Sequence, residues 1–234
     1  MTRAHKTTGD AMQTSKFLKV TGLIATLLLG GCRSVFEIDT YSSDLFVDKN
    51  IDTPAQMKVE IPTCTDRSEY ENKIIALFDA GSRAKIVGCE EQGMSSMLVV
   101  SIAVEMASET SSRDLILFRE KAPDLEHDGR VYEVRGIKPV FSSSFIQRVN
   151  SLMEQNLQKF SYDNLSIQFG VNNDESGDIL ISGNTLWVDG NPYQRFHRQP
   201  LARRQKFDMR LSDVMSDLVI KGKMPIAFWV LRTK

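Results

Sequence analysis

Apolar and polar residues alternate along much of this chain, and the alternation predicts strands. Leu98, Val100, Ile102, Val104 and Met106 share one parity, with Ser101 and Glu105 opposite, so 97–106 reads as a long strand. Leu165, Ile167, Phe169 and Val171 alternate with Ser166, Gln168 and Gly170 in the same way. Shorter stretches of this kind are 57–62, 85–88, 114–119, 131–138, 179–181, 186–188 and 207–211. Residues 225–231 form a near-continuous apolar run, as expected of a central strand. The segment 114–119 suits a hairpin partner for 97–106 across a loop rich in Ser and Thr.

Three segments change to helical spacing. Asp66-Arg67-Ser68-Glu69 has the form of a capping box, followed by Tyr70, Ile74, Leu77 and Phe78 and a stop at Gly81. From Ser142 to Phe160, Phe145, Val149, Leu152, Met153 and Phe160 line one face, with Ser142-Ser143-Ser144 at the N-cap. Ser212 caps a short helix through Val214, Met215 and Leu218 to Gly222. Residues 32–56 read as a tether with a marginal strand at 35–39. Residues 122–130 read as an acidic, turn-rich linker and the candidate boundary between two lobes of a 57–234 domain. The fold expected is α+β: mostly antiparallel sheet with two or three packed helices.

The first 31 residues follow another rule. Arg3, Lys6, Lys16 and Lys19 precede the apolar run Leu23–Leu29, which ends at Gly30-Gly31-Cys32. A basic segment, an apolar core of about 7–15 residues and small residues at a cut site make a secretory signal. The run falls short of the roughly 20 residues that span a bilayer. Met12 offers an alternative start that gives a signal of more usual length. Leu29-Gly30-Gly31-Cys32 resembles the lipobox of bacterial lipoproteins. That resemblance implies cleavage before Cys32, a diacylglycerol on its thiol and an acylated new N-terminus. Position two of the mature chain is Arg33, not Asp. In Gram-negative lipoproteins this implies export to the outer membrane, facing the periplasm.

Composition sharpens this picture only after the signal is removed. The whole chain of 234 residues has 29 basic and 30 acidic residues, which disfavours a surface built for nucleic acid. Residues 1–31 hold four basic residues and one acid, so the mature chain has 25 against 29, a net charge of −4. With Cys32 lipidated, two of three cysteines remain, Cys64 and Cys89, each ending a strand-like stretch. An oxidising periplasm favours a disulfide between them, the alternative being two unpaired buried thiols. Neither thiol has zinc-like spacing to further ligands, so no metal site and no cofactor is expected.

The mature region also resembles a small family of lipoproteins carried by prophages and mobile elements of Gram-negative bacteria. The residues that carry this are Val35-Phe36-Glu37-Ile38, Val59-Glu60-Ile61-Pro62-Thr63-Cys64, Ile86-Val87-Gly88-Cys89, Trp187-Val188-Asp189-Gly190-Asn191-Pro192-Tyr193 and Leu211-Ser212-Asp213-Val214. The resemblance implies lipidation, the disulfide and no known catalytic residues.

Candidate chemistry is sparse. Glu126-His127-Asp128 could hold a divalent ion or move a proton, but its Gly- and Pro-flanked setting reads as a solvated turn. No Gly-x-Ser-x-Gly, phosphate-loop or His-Glu-x-x-His motif occurs, and no enzyme activity is expected. The most polarised segment holds Arg195, Arg198, Arg203, Arg204, Lys206 and Arg210, with Tyr193, Phe196 and Phe207 interleaved and no acid from Asn191 to Lys206. Such a segment suits an anionic envelope component or an acidic protein partner. The blander reading, a flexible hairpin loop kept soluble by charge, is the first expectation. Two functions therefore stand open. One is a membrane-anchored binding module, acting in exclusion of competing phages or mobile elements. The other is an assembly accessory of an envelope complex.

Overall fold

Strand alternation governs most of the backbone. The computed structural model describes residues 33–93, 95–109, 111–154, 164–223 and 225–234. Residues Cys32–Lys234 make one compact unit. Its strands are β1 (Ser34–Tyr41), β2 (Ile51–Ile61), β3 (Lys85–Gln92), β4 (Ser95–Ala107), β5 (Leu115–His127), β6 (Arg130–Phe141), β7 (Leu165–Asn172), β8 (Ile179–Val188), β9 (Asn191–Leu201), β10 (Lys206–Leu211) and β11 (Phe228–Thr233). Its helices are α1 (Ser42–Leu45), α2 (Ser68–Ile75), α3 (Ser143–Glu154) and α4 (Asp213–Ile220).

The strands pair in the order β10-β7-β1-β2-β4-β5-β6-β11-β8, and β8 then pairs β10, closing a nine-strand barrel. β8 achieves the closure by pairing β11 through Ile179–Gly183 and β10 through Leu186–Val188. Between those stretches Thr185 takes a left-handed φ of 57°, which redirects the strand. β3 hangs from β4 and β9 from β8, outside the ring.

The α+β expectation is therefore corrected. Strands take 56% of the structure and helices 19%, and the sheet closes on itself rather than resting against a helical layer. The helical segments are too short to form that layer, at four to twelve residues. α3 and α4 follow β6 and β10 at one end of the barrel. α4 touches β6, β7 and β10, strands on opposite sides of the ring, so it spans that mouth, with Met215 and Val219 buried.

Several local readings also change. The expected tether contains β1, paired with β2 on one side and in parallel with β7 on the other. The expected linker runs inside the β5–β6 hairpin and turns only at Asp128-Gly129, both with positive φ. No boundary divides the chain there. β5 lies parallel to β4 over Glu105–Ala107, not antiparallel as a hairpin partner would. α2 begins at Ser68 without a side-chain cap, so the capping box does not form. Ser142 and Ser212 do cap: their hydroxyls accept from Phe145 N (3.0 Å) and Met215 N (3.3 Å). The signal segment and Cys32 lie outside the described residues, as do 155–160 of the expected third-segment helix.

One apolar cluster fills the barrel from the inward faces of the strands. It includes Phe36, Ile38, Val100, Ile102, Ile167, Phe169, Ile181 and Phe228, with Phe169 and Phe228 packed edge to face. Cys64 and Cys89 are bonded, with Cα atoms 5.7 Å apart, which ties the segment after β2 to β3.

Candidate functional site

The barrel interior turns from apolar to charged towards the end that carries α1. On β5 the inward series Leu115, Leu117 continues to Arg119, and on β6 Ile137 is followed by Arg135 and Glu133. Arg119 is 1% exposed and Arg135 2%. Arg119 donates to three main-chain carbonyls: Asp44 O (2.6 Å), Lys49 O (2.7 Å) and Met106 O (3.0 Å). Arg135 donates to Asp48 Oδ1 (2.7 Å) and Glu133 Oε1 (2.8 Å). Arg232 on β11 bridges Glu133 (2.7 Å) and Glu175 (2.9 Å) and stacks on Phe46 at 4.1 Å. Asp174 accepts from Ser42 Oγ, Ser43 N and Ser43 Oγ at 2.6–2.9 Å.

These bonds lash residues 42–50 across the barrel end. Their electrostatics fit a latch. Burial, and then the neighbouring Arg135 charge, push the Arg119 guanidinium below its ordinary value. Burial alone would raise Glu133, but hydrogen bonds from Arg232 and Arg135 outweigh it and hold the carboxyl below 4.5. Burial would likewise raise Asp174, but hydrogen bonds from Ser43 and Ser42 overcome it and hold that carboxyl below its ordinary value. The layer binds its own chain. The alternation rule could have exposed it, because an arginine at an inward parity must find internal partners.

The basic segment is dispersed by the fold. Arg195 and Arg198 lie on β9, Arg203 and Arg204 in the following turn, Lys206 and Arg210 on β10. β9 is a strand where a loop was an open reading. Its exposure on nearly every residue hid the alternation, and Pro192 and Pro200 with the arginines guard its outer edge. Arg198 lies 3.0 Å from the His127 ring at the β5–β6 turn, and His127 also meets Asp128 at 3.1 Å. Lys206 pairs with Asp39 (2.8 Å) and Asp208 (3.0 Å), and chiefly the Asp39 bond raises its pKa. Arg210 stacks on Trp187 at 4.8 Å. Among the described residues, the side chains of Arg195, Arg203 and Arg204 form no ion pair or hydrogen bond. Tyr193, Phe196 and Phe207 form a chain of ring contacts, 6.3 and 5.7 Å apart.

Beside this segment the outer wall carries an open groove of about 640 Å³. Its floor is the outward face of β1, β7 and β10, with Glu37 and Asp39, Gln168 and Gly170, and Asp208 and Arg210. Trp187 and the Asp189-Gly190 turn close one side. Gly170 has a positional reason: a Cβ there would collide with Asp39 Oδ1 and Lys206 Cε, because the Lys206–Asp39 pair crosses directly over it. Sequence reading found Lys206 and Arg210 but not their partners, of which Asp39 and Trp187 come from other strands. Among the described residues, no group of three or more His, Cys, Asp and Glu side chains is placed to hold a metal.

The fold thus defines a small closed β-barrel with a polar groove on its outer wall. The chain belongs to the family described as Domain of unknown function (DUF7424), which matches residues 35–233, from the first barrel strand to the last. Neither a curated protein nor a solved structure matches the chain.

Proposed function

We propose that this chain is a lipid-anchored domain of the bacterial envelope, held at the outer membrane through Cys32, that acts as a non-catalytic binding module. The anchor rests on the basic segment, the short apolar run and Leu29-Gly30-Gly31-Cys32. The observation that carries the binding role is the set of exposed cations Arg195, Arg203 and Arg204, left without partners among the described residues although the mature chain is net acidic. Unpaired guanidinium groups on β9 and the turn that follows it suit phosphate-bearing headgroups of the membrane to which the lipid tethers the barrel. The resemblance to prophage-borne lipoproteins supports a role in excluding competing phages or plasmids.

The test is flotation of the unlipidated chain with vesicles containing phosphatidylglycerol. Each cation near an anionic surface contributes about 1 kcal/mol, so replacing Arg195, Arg203 and Arg204 by Gln lowers partitioning roughly a hundredfold. Binding by the native sequence also weakens as salt rises. Equal partitioning of the native and triply substituted chains, or none by the native chain, refutes the reading. A second reading, an accessory that braces an envelope complex, draws on the outer edges of β3 and β9, each of which pairs with a single strand, β4 and β8.

A further inference from the structure

We propose that the groove over β1, β7 and β10 is a binding site for a neutral glycan, a run of sugar rings presenting hydroxyl and acetamide groups. The inference goes beyond the arginine edge and does not depend on it. Three features of the site select this chemistry.

The first is charge. The lining holds Glu37, Asp39, Asp189 and Asp208 against Lys206 and Arg210, a formal balance of −2. A phosphate or carboxylate ligand would meet net repulsion there, so the anionic headgroups suited to Arg195, Arg203 and Arg204 are excluded from the groove. The second is the polarity of the lining. Pockets for apolar ligands are walled mainly by hydrophobic side chains. Here carboxylates supply acceptors, while Gln168, Lys206 and Arg210 supply donors, and planar groups of both kinds match the paired donor and acceptor oxygens of vicinal hydroxyls. Trp187 adds an aromatic wall, one face of it covered by Arg210, against which the apolar side of a sugar ring can pack.

The third feature is the floor. β7 is paired on both sides by β1 and β10, and β1 by β7 and β2, so their main-chain groups are committed to the barrel ladder. An extended peptide recognised through its backbone needs a free strand edge, which this floor lacks. Recognition must come from side chains alone, as it does for a polyhydroxyl chain. Those side chains are already held: Lys206 by Asp39 and Asp208, and Arg210 by the Trp187 ring. Ordering them costs little more when a ligand arrives.

The chain has two tryptophans, Trp187 and Trp229, and Trp229 packs in a separate small cluster with Tyr132, Val134 and Leu231. Full-length protein in detergent, labelled with 5-fluorotryptophan, therefore gives two fluorine signals, assigned with Trp187→Phe. Titration with two neutral tetrasaccharides, one N-acetylated and one not, is expected to shift the Trp187 signal alone with at least one of them. The shift saturates, survives a rise in salt, and needs at least tenfold more sugar in Asp208→Asn, which keeps the side chain's shape. Replacing Arg195, Arg203 and Arg204 by Gln leaves it unchanged, so failure of the headgroup reading and failure of this one are distinguishable. No shift with either sugar overturns the proposal. So does an unchanged midpoint in Asp208→Asn, or a salt-quenched response to tetralysine in place of the sugars, which would reassign the groove to a cationic peptide.

Discussion

Replacing Arg119 by methionine tests the latch at the α1 end of the barrel. Methionine retains much of the side-chain length but no donor, so the carbonyls of Asp44, Lys49 and Met106 lose bonds of 2.6, 2.7 and 3.0 Å. A buried acceptor left unpaired costs about 1–3 kcal/mol, and three at the lower bound total about 3 kcal/mol. Removing the guanidinium also relieves its own burial cost and its repulsion with Arg135, the causes that depress its pKa. The net expectation is a loss of about 2 kcal/mol, read as a lowered urea midpoint by tryptophan fluorescence. Hydrogen exchange should locate it: amides in 42–50 exchange faster, while those of β2 and β4 keep their protection. Arg119→Lys should do no better, because a compact ammonium cannot span carbonyls on either side of Phe46. Stability within about 0.5 kcal/mol of wild type for Arg119→Met, or full recovery in Arg119→Lys, would refute this reasoning.

Three further outcomes follow from the same geometry. Glu133 and Asp174 are held below their ordinary values of 4.5 and 3.8, so their stabilisation is complete above those values and lost as pH falls through the lower folded ones. Glu133→Gln should therefore lower the neutral-pH urea midpoint and flatten its decline in acid; an unchanged acid limb would count against the network. Reducing Cys64–Cys89, which closes a separation of 25 residues, should cost roughly 3.5 kcal/mol on the chain-entropy model and lower the Tm, and a reductant-insensitive Tm would contradict it. Gly170→Ala should displace the exposed Lys206–Asp39 pair at a cost of about 1 kcal/mol or less while altering the groove, so a large loss of stability would show that the floor is rigid.

Local chemistry was legible and long-range closure was not. Ser142 and Ser212 announce their helices because a hydroxyl before an apolar period has few other uses. Cys64 and Cys89 pair as the count implied. The strict alternations at 97–106 and 165–171 survive as β4 and β7 because one parity of each packs into the barrel core. β9 escaped notice because an edge strand exposed almost throughout has no apolar parity to display. β1 read only as a marginal strand over 35–39, because its two partners lie far apart in sequence, in β2 and β7. Closure depends on Thr185 redirecting β8 from β11 to β10, a backbone choice that no side-chain pattern encodes. The groove was half visible: its cations cluster in sequence, while Asp39 and Gln168 reach it from strands far away in the chain.

The central claim is a barrel tethered to the envelope by lipid on Cys32, and intact-mass spectrometry of protein extracted from the membrane fraction tests it most directly. The account predicts a chain that begins at Cys32, carries the mass of a diacylglyceryl group and an N-acyl chain, and retains the Cys64–Cys89 bond. A chain that still carries residues 1–31, or that begins at an unmodified Cys32, would contradict it.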